Sequence, residues 1–222
     1  FSLSNKWGPL PPEYLGRLRF VLSGPNEDFS FYAREDVLEG LSASGSNWVY
    51  QFETALPSDA VGSYTVGFEG RINSWTLNEG TSKEFSMRDQ AQNYTMAFSV
   101  TGDAISPRRE VVDDAKCENC HVNLALHGSN RHDAGGYCQT CHRPDFVGGD
   151  DDSPQSVDFR YMIHKIHRGA DLENGYVVGN DDFSDIHFPG DLRNCETCHM
   201  EDTYKLPLQA GLLYVQTPSD LI

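Results

Sequence analysis

Cys117-Glu118-Asn119-Cys120-His121, Cys138-Gln139-Thr140-Cys141-His142 and Cys195-Glu196-Thr197-Cys198-His199 hold every cysteine of this 222-residue chain. Six cysteines in so short a chain would ordinarily suggest a disulfide framework, but all six fall in pairs with a two-residue gap, each pair followed at once by histidine. Outward from these sites, the chain divides near residue 112. Residues 1–112 contain neither cysteine nor histidine and carry a net charge of −5, whereas residues 113–222 hold all the cysteines, all eight histidines and a net charge of −11. Two domains of different physics are expected, 1–112 and 113–222.

The first reads as antiparallel β, because apolar and polar residues alternate with a period of two. Leu18, Phe20 and Leu22 oppose Arg17 and Arg19, and Trp48, Tyr50 and Phe52 oppose Gln51 and Glu53. Tyr64, Val66 and Phe68 oppose Thr65 and Glu69, and Tyr94, Met96, Phe98 and Val100 oppose Thr95 and Ser99. Four such strands between Gly, Ser, Asn and Pro clusters predict a Greek-key sandwich or barrel with a self-standing aromatic core. The second domain is short of Leu, Ile, Val and Phe and rich in Gly, Asp and Asn, so something other than side chains must fill its core. One segment is clearly helical: Ser153-Pro154 offers a cap and first-turn proline, and Gly169 closes the far end. Phe159, Met162, Ile163 and Ile166 form its aliphatic stripe, with His164 and His167 off that stripe.

C-x-x-C-H is the attachment spacing of c-type haem: two thiols two residues apart reach both vinyl groups of one porphyrin edge and form thioethers. The next histidine then lies beneath the iron as proximal ligand. Three covalently bound haems c are therefore expected, with Cys117, Cys120, Cys138, Cys141, Cys195 and Cys198 as attachment residues and His121, His142 and His199 as proximal ligands. A zinc reading would need the pairs to combine by fours, leaving one over. An electron carrier has both axial positions filled, and five histidines remain as distal candidates. His164 and His167 stand about 60° apart around a helix and roughly 4.5 Å along it, so as ligands they serve two different haems. His127 lies in Leu124-Ala125-Leu126-His127-Gly128, where the glycine allows close backbone approach, and completes the expected set. His132, in a polar loop, and His187, before the Phe188-Pro189-Gly190 turn, read as solvated or as hydrogen-bonding groups.

With 33 acidic and 17 basic side chains, nucleic acid is excluded as a partner, since such binding needs clustered Lys and Arg. No apolar run approaches the roughly 20 residues of a transmembrane segment. No charged and apolar leader precedes Phe1, so any signal peptide or anchor is expected to lie outside this sequence. Asp150-Asp151-Asp152 and Asp181-Asp182 offer carboxylates to a calcium ion, without the spacing of a dedicated loop, and a solvated face is the plainer reading. Asn93-Tyr94-Thr95 matches a glycosylation sequon but sits within a strand pattern.

Arg108-Arg109-Glu110-Val111-Val112-Asp113, Leu124-Ala125-Leu126-His127-Gly128, Tyr137-Cys138, Met162-Ile163-His164-Lys165-Ile166-His167 and Phe188-Pro189-Gly190-Asp191-Leu192-Arg193-Asn194-Cys195 together resemble the OmcA/MtrC family, outer-surface decahaem cytochromes of metal-reducing bacteria. Gly62-Ser63-Tyr64-Thr65-Val66-Gly67 resembles the split-barrel domain that precedes each haem domain there. The resemblance implies extracellular electron transfer to metal oxides, flavins or other multihaem cytochromes, at the extracellular face of the outer membrane or in secreted form, with the periplasm as second choice. Family haem domains usually carry five haems, so the chain is expected to be a fragment of a longer cytochrome, with a native three-haem relative as the alternative. The competing functions are a multihaem reductase of a small oxyanion or nitrogen compound, which needs an open iron position, and a subunit of a cytochrome filament.

Overall fold

A computed structural model describes all residues except 3, 6, 7, 10, 88–90, 150–153 and 218–222. The alternation around Leu18 becomes strand β1 (Leu15–Gly24), followed by β2 (Phe31–Asp36), β3 (Ser63–Ile72) and β4 (Tyr94–Ser99). They form one antiparallel sheet in the order β4-β3-β1-β2. The register sets Phe20 opposite Phe68 and Leu22 opposite Val66, with Met96 opposite Val66 on the far side. Leu18, Phe20 and Val66 therefore share one face, where Val37, Tyr50, Phe52 and Phe98 pack on them. The Phe20 and Phe68 rings meet edge to face at 4.7 Å, a favourable aromatic geometry.

One strand differs from the sequence expectation. Of the Trp48–Phe52 alternation only Asn47–Val49 is extended, as one arm of a ribbon with Ser42–Ser44. Tyr50 and Phe52 lie beyond it and fold onto the core, tethered by the Glu35 carboxylate, which accepts from the Tyr50 hydroxyl (2.7 Å) and the amides of Glu53 and Thr54. The fourth strand of the sheet is instead β2, whose Arg34-Glu35-Asp36 masks the alternation. Charges suit an edge strand, where they discourage pairing with another chain.

The opposite face of the sheet is also dry. Val21 and Ser23 have no exposure and Glu69 has 1%, and the register aligns Arg19, Val21 and Ser23 with Glu69, Gly67 and Thr65. What covers this face is the second half of the chain, above all helix α2 (Tyr137–Cys141). Ser23 Oγ donates to the Thr140 carbonyl at 2.9 Å. Glu69 accepts from Arg131 Nε at 2.6 Å and from the Tyr137 hydroxyl at 2.9 Å. Gly67 makes the approach possible: a Cβ there would stand 2.9 Å from the Tyr137 ring. A second joint gathers Arg108, Arg109 and Arg160 on the buried Asp28 carboxylate, at 2.8, 3.5 and 3.5 Å, with the Leu213 amide at 2.9 Å.

The second half is mostly irregular, with α1 (Asp114–His121), α2 and α3 (Phe159–Arg168) as its α-helices among the described residues. The chain as a whole is thus mainly β with a few short helices. Among the described residues, the buried apolar side chains in this half are Ala134, Tyr137, Pro144, Val157 and Tyr176. Helix α3 ends at Gly169 as expected, but its start is displaced. Ser153 lies outside the described residues, Pro154 precedes an extended pair Gln155–Ser156, and the cap is Asp158, whose carboxylate accepts from the Arg160 and Tyr161 amides. Nor is the α3 stripe packed into a core: no residue of the helix is buried.

Gly67→Ala is expected to lower stability by about 1–3 kcal/mol through collision with the Tyr137 ring, read as a drop in thermal midpoint by circular dichroism. Acid should act through Asp28. Burial alone would raise its carboxyl, but the Arg108 charge, the Leu213 amide and Arg160 together hold it below the usual range. A depressed native pKa contributes stability that is present above the unfolded value of about 4 and is lost as pH falls through the lower native one. Chemical unfolding followed from pH 6 to pH 2 should show that loss below about pH 4. Asp28→Asn should be less stable at neutral pH and lose less on acidification.

Candidate haem-binding site

Each C-x-x-C-H lies in a tight turn that brings its cysteines to one side. In α1 the Asp113 carboxylate caps the helix by accepting from the Ala115 amide at 2.9 Å, setting Cys117 and Cys120 one turn apart with His121 at the end. In α2 the capping position is Gly136, which has no side chain. Asp133 stands in, accepting from the Gly136 and Tyr137 amides at 2.8 and 2.9 Å. Neither helix was anticipated, although an aspartate before each motif is the signal that marks them. The third motif is a 3₁₀ turn, Cys195–Thr197, and the His199 amide donates back to the Cys195 carbonyl at 2.9 Å. It is stapled beside the first motif: His199 bridges Val112, and the Lys116 ammonium donates to the Glu196 carbonyl at 2.9 Å. None of the six cysteines is in a disulfide.

The remaining histidines of the expected ligand set come from two elements. His127 sits in a loop closed by two backbone hydrogen bonds between Leu126 and Arg131. Its φ of 53° and that of Gly128, 82°, are left-handed values that a β-carbon resists, so the loop holds His127 in a strained conformation. His164 and His167 project from α3.

The structure sets these imidazoles opposite the motif imidazoles in three pairs. His121 faces His167 with ring centroids 5.9 Å apart and planes at 74°. His142 faces His127 at 6.0 Å and 24°, and His199 faces His164 at 6.0 Å and 24°. Direct stacking would bring rings closer. A metal bound between two imidazoles takes about 2.0 Å to each nitrogen, and the ring centres lie about 1 Å farther out, so trans ligation spaces centroids by about 6 Å. Among the described residues no group of three or more His, Cys, Asp or Glu side chains converges as a metal cluster.

Hydrogen bonds select which ring nitrogen is free. The Nδ1 atoms of His142, His164 and His167 contact the carbonyls of Val157, Arg160 and Ile163 at 2.8, 2.5 and 2.8 Å. A carbonyl only accepts, so Nδ1 carries the proton and the Nε2 lone pair is left free. Burial lowers the His142, His127 and His199 pKa values, favouring the neutral form that binds metal. Burial also pushes the Cys117 thiol up to about 11 and the Cys138 thiol up to about 12, so neither is poised as the thiolate of a redox dithiol. A cavity of about 550 Å³ is bounded by His164, His167, His199, Cys195, Cys198 and Phe188, and Phe159 and Ile163 of the α3 stripe line it too.

His132 and His187 belong to none of the three pairs. The His132 amide instead donates to Asn93 Oδ1 at 2.6 Å, while Asn93 Nδ2 donates to the Phe68 carbonyl, so the sequon asparagine serves the joint between sheet and loop. Asp181-Asp182 is an exposed two-residue strand paired with Val177–Val178, and Asp150-Asp151-Asp152 lies outside the described residues.

Comparison with known proteins bears on both halves. The fold is similar to the crystal structure of MtrC from Shewanella baltica OS185, with a TM-score of 0.55 at 15% identity, over 88% of this chain and 36% of that one. This chain therefore spans about a third of the length of that protein. Among curated proteins none matches. The model of the outer membrane cytochrome MtrC/MtrF-like family, domains II/IV, matches residues 109–220, which takes in all three C-x-x-C-H motifs, and the chain belongs to that family.

Proposed function

We propose that this chain is an electron-transfer module carrying three covalent haems c, each iron held between two histidines. The pairs would be His121 with His167, His142 with His127, and His199 with His164. The carrying observation is the centroid spacing of 5.9 to 6.0 Å in all three pairs, each joining one motif histidine to one distal histidine. When bound, such an iron supplies a one-electron ferric/ferrous couple. Cys117, Cys120, Cys138, Cys141, Cys195 and Cys198 would hold the three groups through thioether bonds. The carbonyls at Nδ1 keep the imidazoles oriented. The cavity beside Cys195 and Cys198, with Phe159 and Ile163 of the α3 stripe on its wall, would supply apolar lining to a porphyrin.

The pairing favours a carrier over a reductase, because with all six paired histidines as ligands no iron would be left with an open side. The first and third sites sit side by side, joined through α3 and through the contact of Lys116 with the third motif, a proximity that suits electron hopping. We further propose a split-barrel β domain of residues 1–112 carrying a haem domain of residues 113–222. Electrons would pass to partner cytochromes, metal oxides or flavins outside the outer membrane. Among the described residues no helix is long and apolar enough to cross a membrane.

Denaturing mass spectrometry of the matured protein should give the polypeptide plus three haems, with no thiol left to alkylate; fewer haems or labelled cysteines would refute the count. The angle between ligand planes sets the splitting of the iron d orbitals, so paramagnetic resonance should show two similar rhombic low-spin centres and one strongly anisotropic centre. His167→Met should alter the anisotropic centre alone, and His164→Met one of the rhombic pair. Unchanged low-spin signals in either variant would remove that histidine from the ligands.

A further inference from the structure

Glu69 is an odd residue for the middle of a β-sheet: its carboxylate is wholly buried, on a strand that the haem-bearing half covers. Burying a carboxylate is costly unless its charge and lone pairs are met. Two groups donate to one oxygen, Oε2, while Oε1 has no hydrogen-bond partner and only a more distant arginine. Arg131 Nε donates to Oε2 at 2.6 Å and the Tyr137 hydroxyl donates to it at 2.9 Å, with Arg19 3.7 Å from Oε1.

These partners are the anchors of two separate elements. Arg131 closes the loop that carries His127, through its two backbone bonds with Leu126, and Asn130 Nδ2 donates to the His127 carbonyl within that loop. Tyr137 opens α2, which carries Cys138 and Cys141 and delivers His142 at its end. One carboxylate oxygen thus ties the mount of His127 to the mount of His142, the pair whose rings stand 6.0 Å apart and 24° from parallel. The His127 loop has left-handed backbone at both His127 and Gly128, and the Arg131 ion pair ties it to the sheet beside the His132 amide bond to Asn93.

We propose that Glu69, on the β-sheet, is the positioning residue of the second haem: it sets the distance and angle of the His127–His142 pair without touching either ring. The proposal rests on the bis-histidine reading above. It implies that Glu69 tunes one redox centre, and only one, since neither the His121–His167 nor the His199–His164 pair is mounted on Arg131 or Tyr137.

The test uses the full haem-loaded chain. His127→Met first identifies the low-spin signal and the redox transition of the second centre. Glu69→Ala should then shift that signal and that transition and leave the other two in place. Glu69→Gln should restore part of the native signal, because an amide oxygen in the place of Oε2 still accepts from both donors but carries no charge. Tyr137→Phe and Arg131→Gln, which each release one anchor and keep most of the packing, should move the same centre less than Glu69→Ala does; they decide the matter if Glu69→Ala does not assemble. Glu35→Gln, at the buttress of the opposite face, should leave all three centres unchanged. The proposal is overturned if the Glu69, Tyr137 and Arg131 variants leave the centre marked by His127→Met untouched, or move all three centres alike. Should His127→Met itself alter no centre, the ligand reading falls and the positioning role falls with it.

Discussion

A carboxylate without water is the fixed point of this structure. Glu69 sits on β3 where the sheet is buried, and one of its oxygens is met by an arginine and a tyrosine that lie 62 and 68 residues later. Because an uncompensated buried charge is so unfavourable, the second half of the chain has one seat on the sheet. Gly67 supplies the shape of that seat and Ser23 a further hydrogen bond to it. The Asp28 cluster closes the same joint from the other end, drawing Arg108 and Arg109 of the connecting segment, Arg160 of α3 and the Leu213 amide onto one carboxylate.

On this seat, a half-chain with few buried apolar side chains is held in shape by polar contacts and by its mounts for imidazole. The short helices over the first two C-x-x-C-H motifs are capped by aspartates, not supported by a core of their own. Helix α3 is amphipathic, yet Phe159 and Ile163 of its stripe line a cavity among histidines and cysteines. That is the distribution expected of a fold whose interior is shared with an apolar cofactor.

Helix geometry then divides the labour. Histidines one turn apart project the same way and cannot face each other across a metal. On α3 they face different partners, His199 and His121, drawing the first and third motifs together along one side of the helix. The second motif finds its partner in a loop, where a left-handed backbone does what a helix face does elsewhere.

The sequence alone determined the chemistry-bearing positions: three C-x-x-C-H sites, a helix with two histidines that cannot share a partner, and strands β1, β3 and β4 with their apolar faces. These are local properties, set by covalent spacing and by periods of 2 and 3.6 residues. It also led to a strand at Trp48–Phe52 and to a helix start at Ser153-Pro154, where the fold has β2 and the Asp158 cap; charged edge residues hid the strand, and an extended pair before Asp158 displaced the cap. Only the tertiary structure decided which imidazole faces which and that the polar face of the sheet is buried. The alternation of Thr65 and Glu69 with apolar neighbours reads as a wet face until Tyr137 and Arg131 are brought onto it. Such pairings depend on residues tens of positions apart, and the free energy that selects them belongs to the burial of Glu69 and Asp28, which no local pattern records.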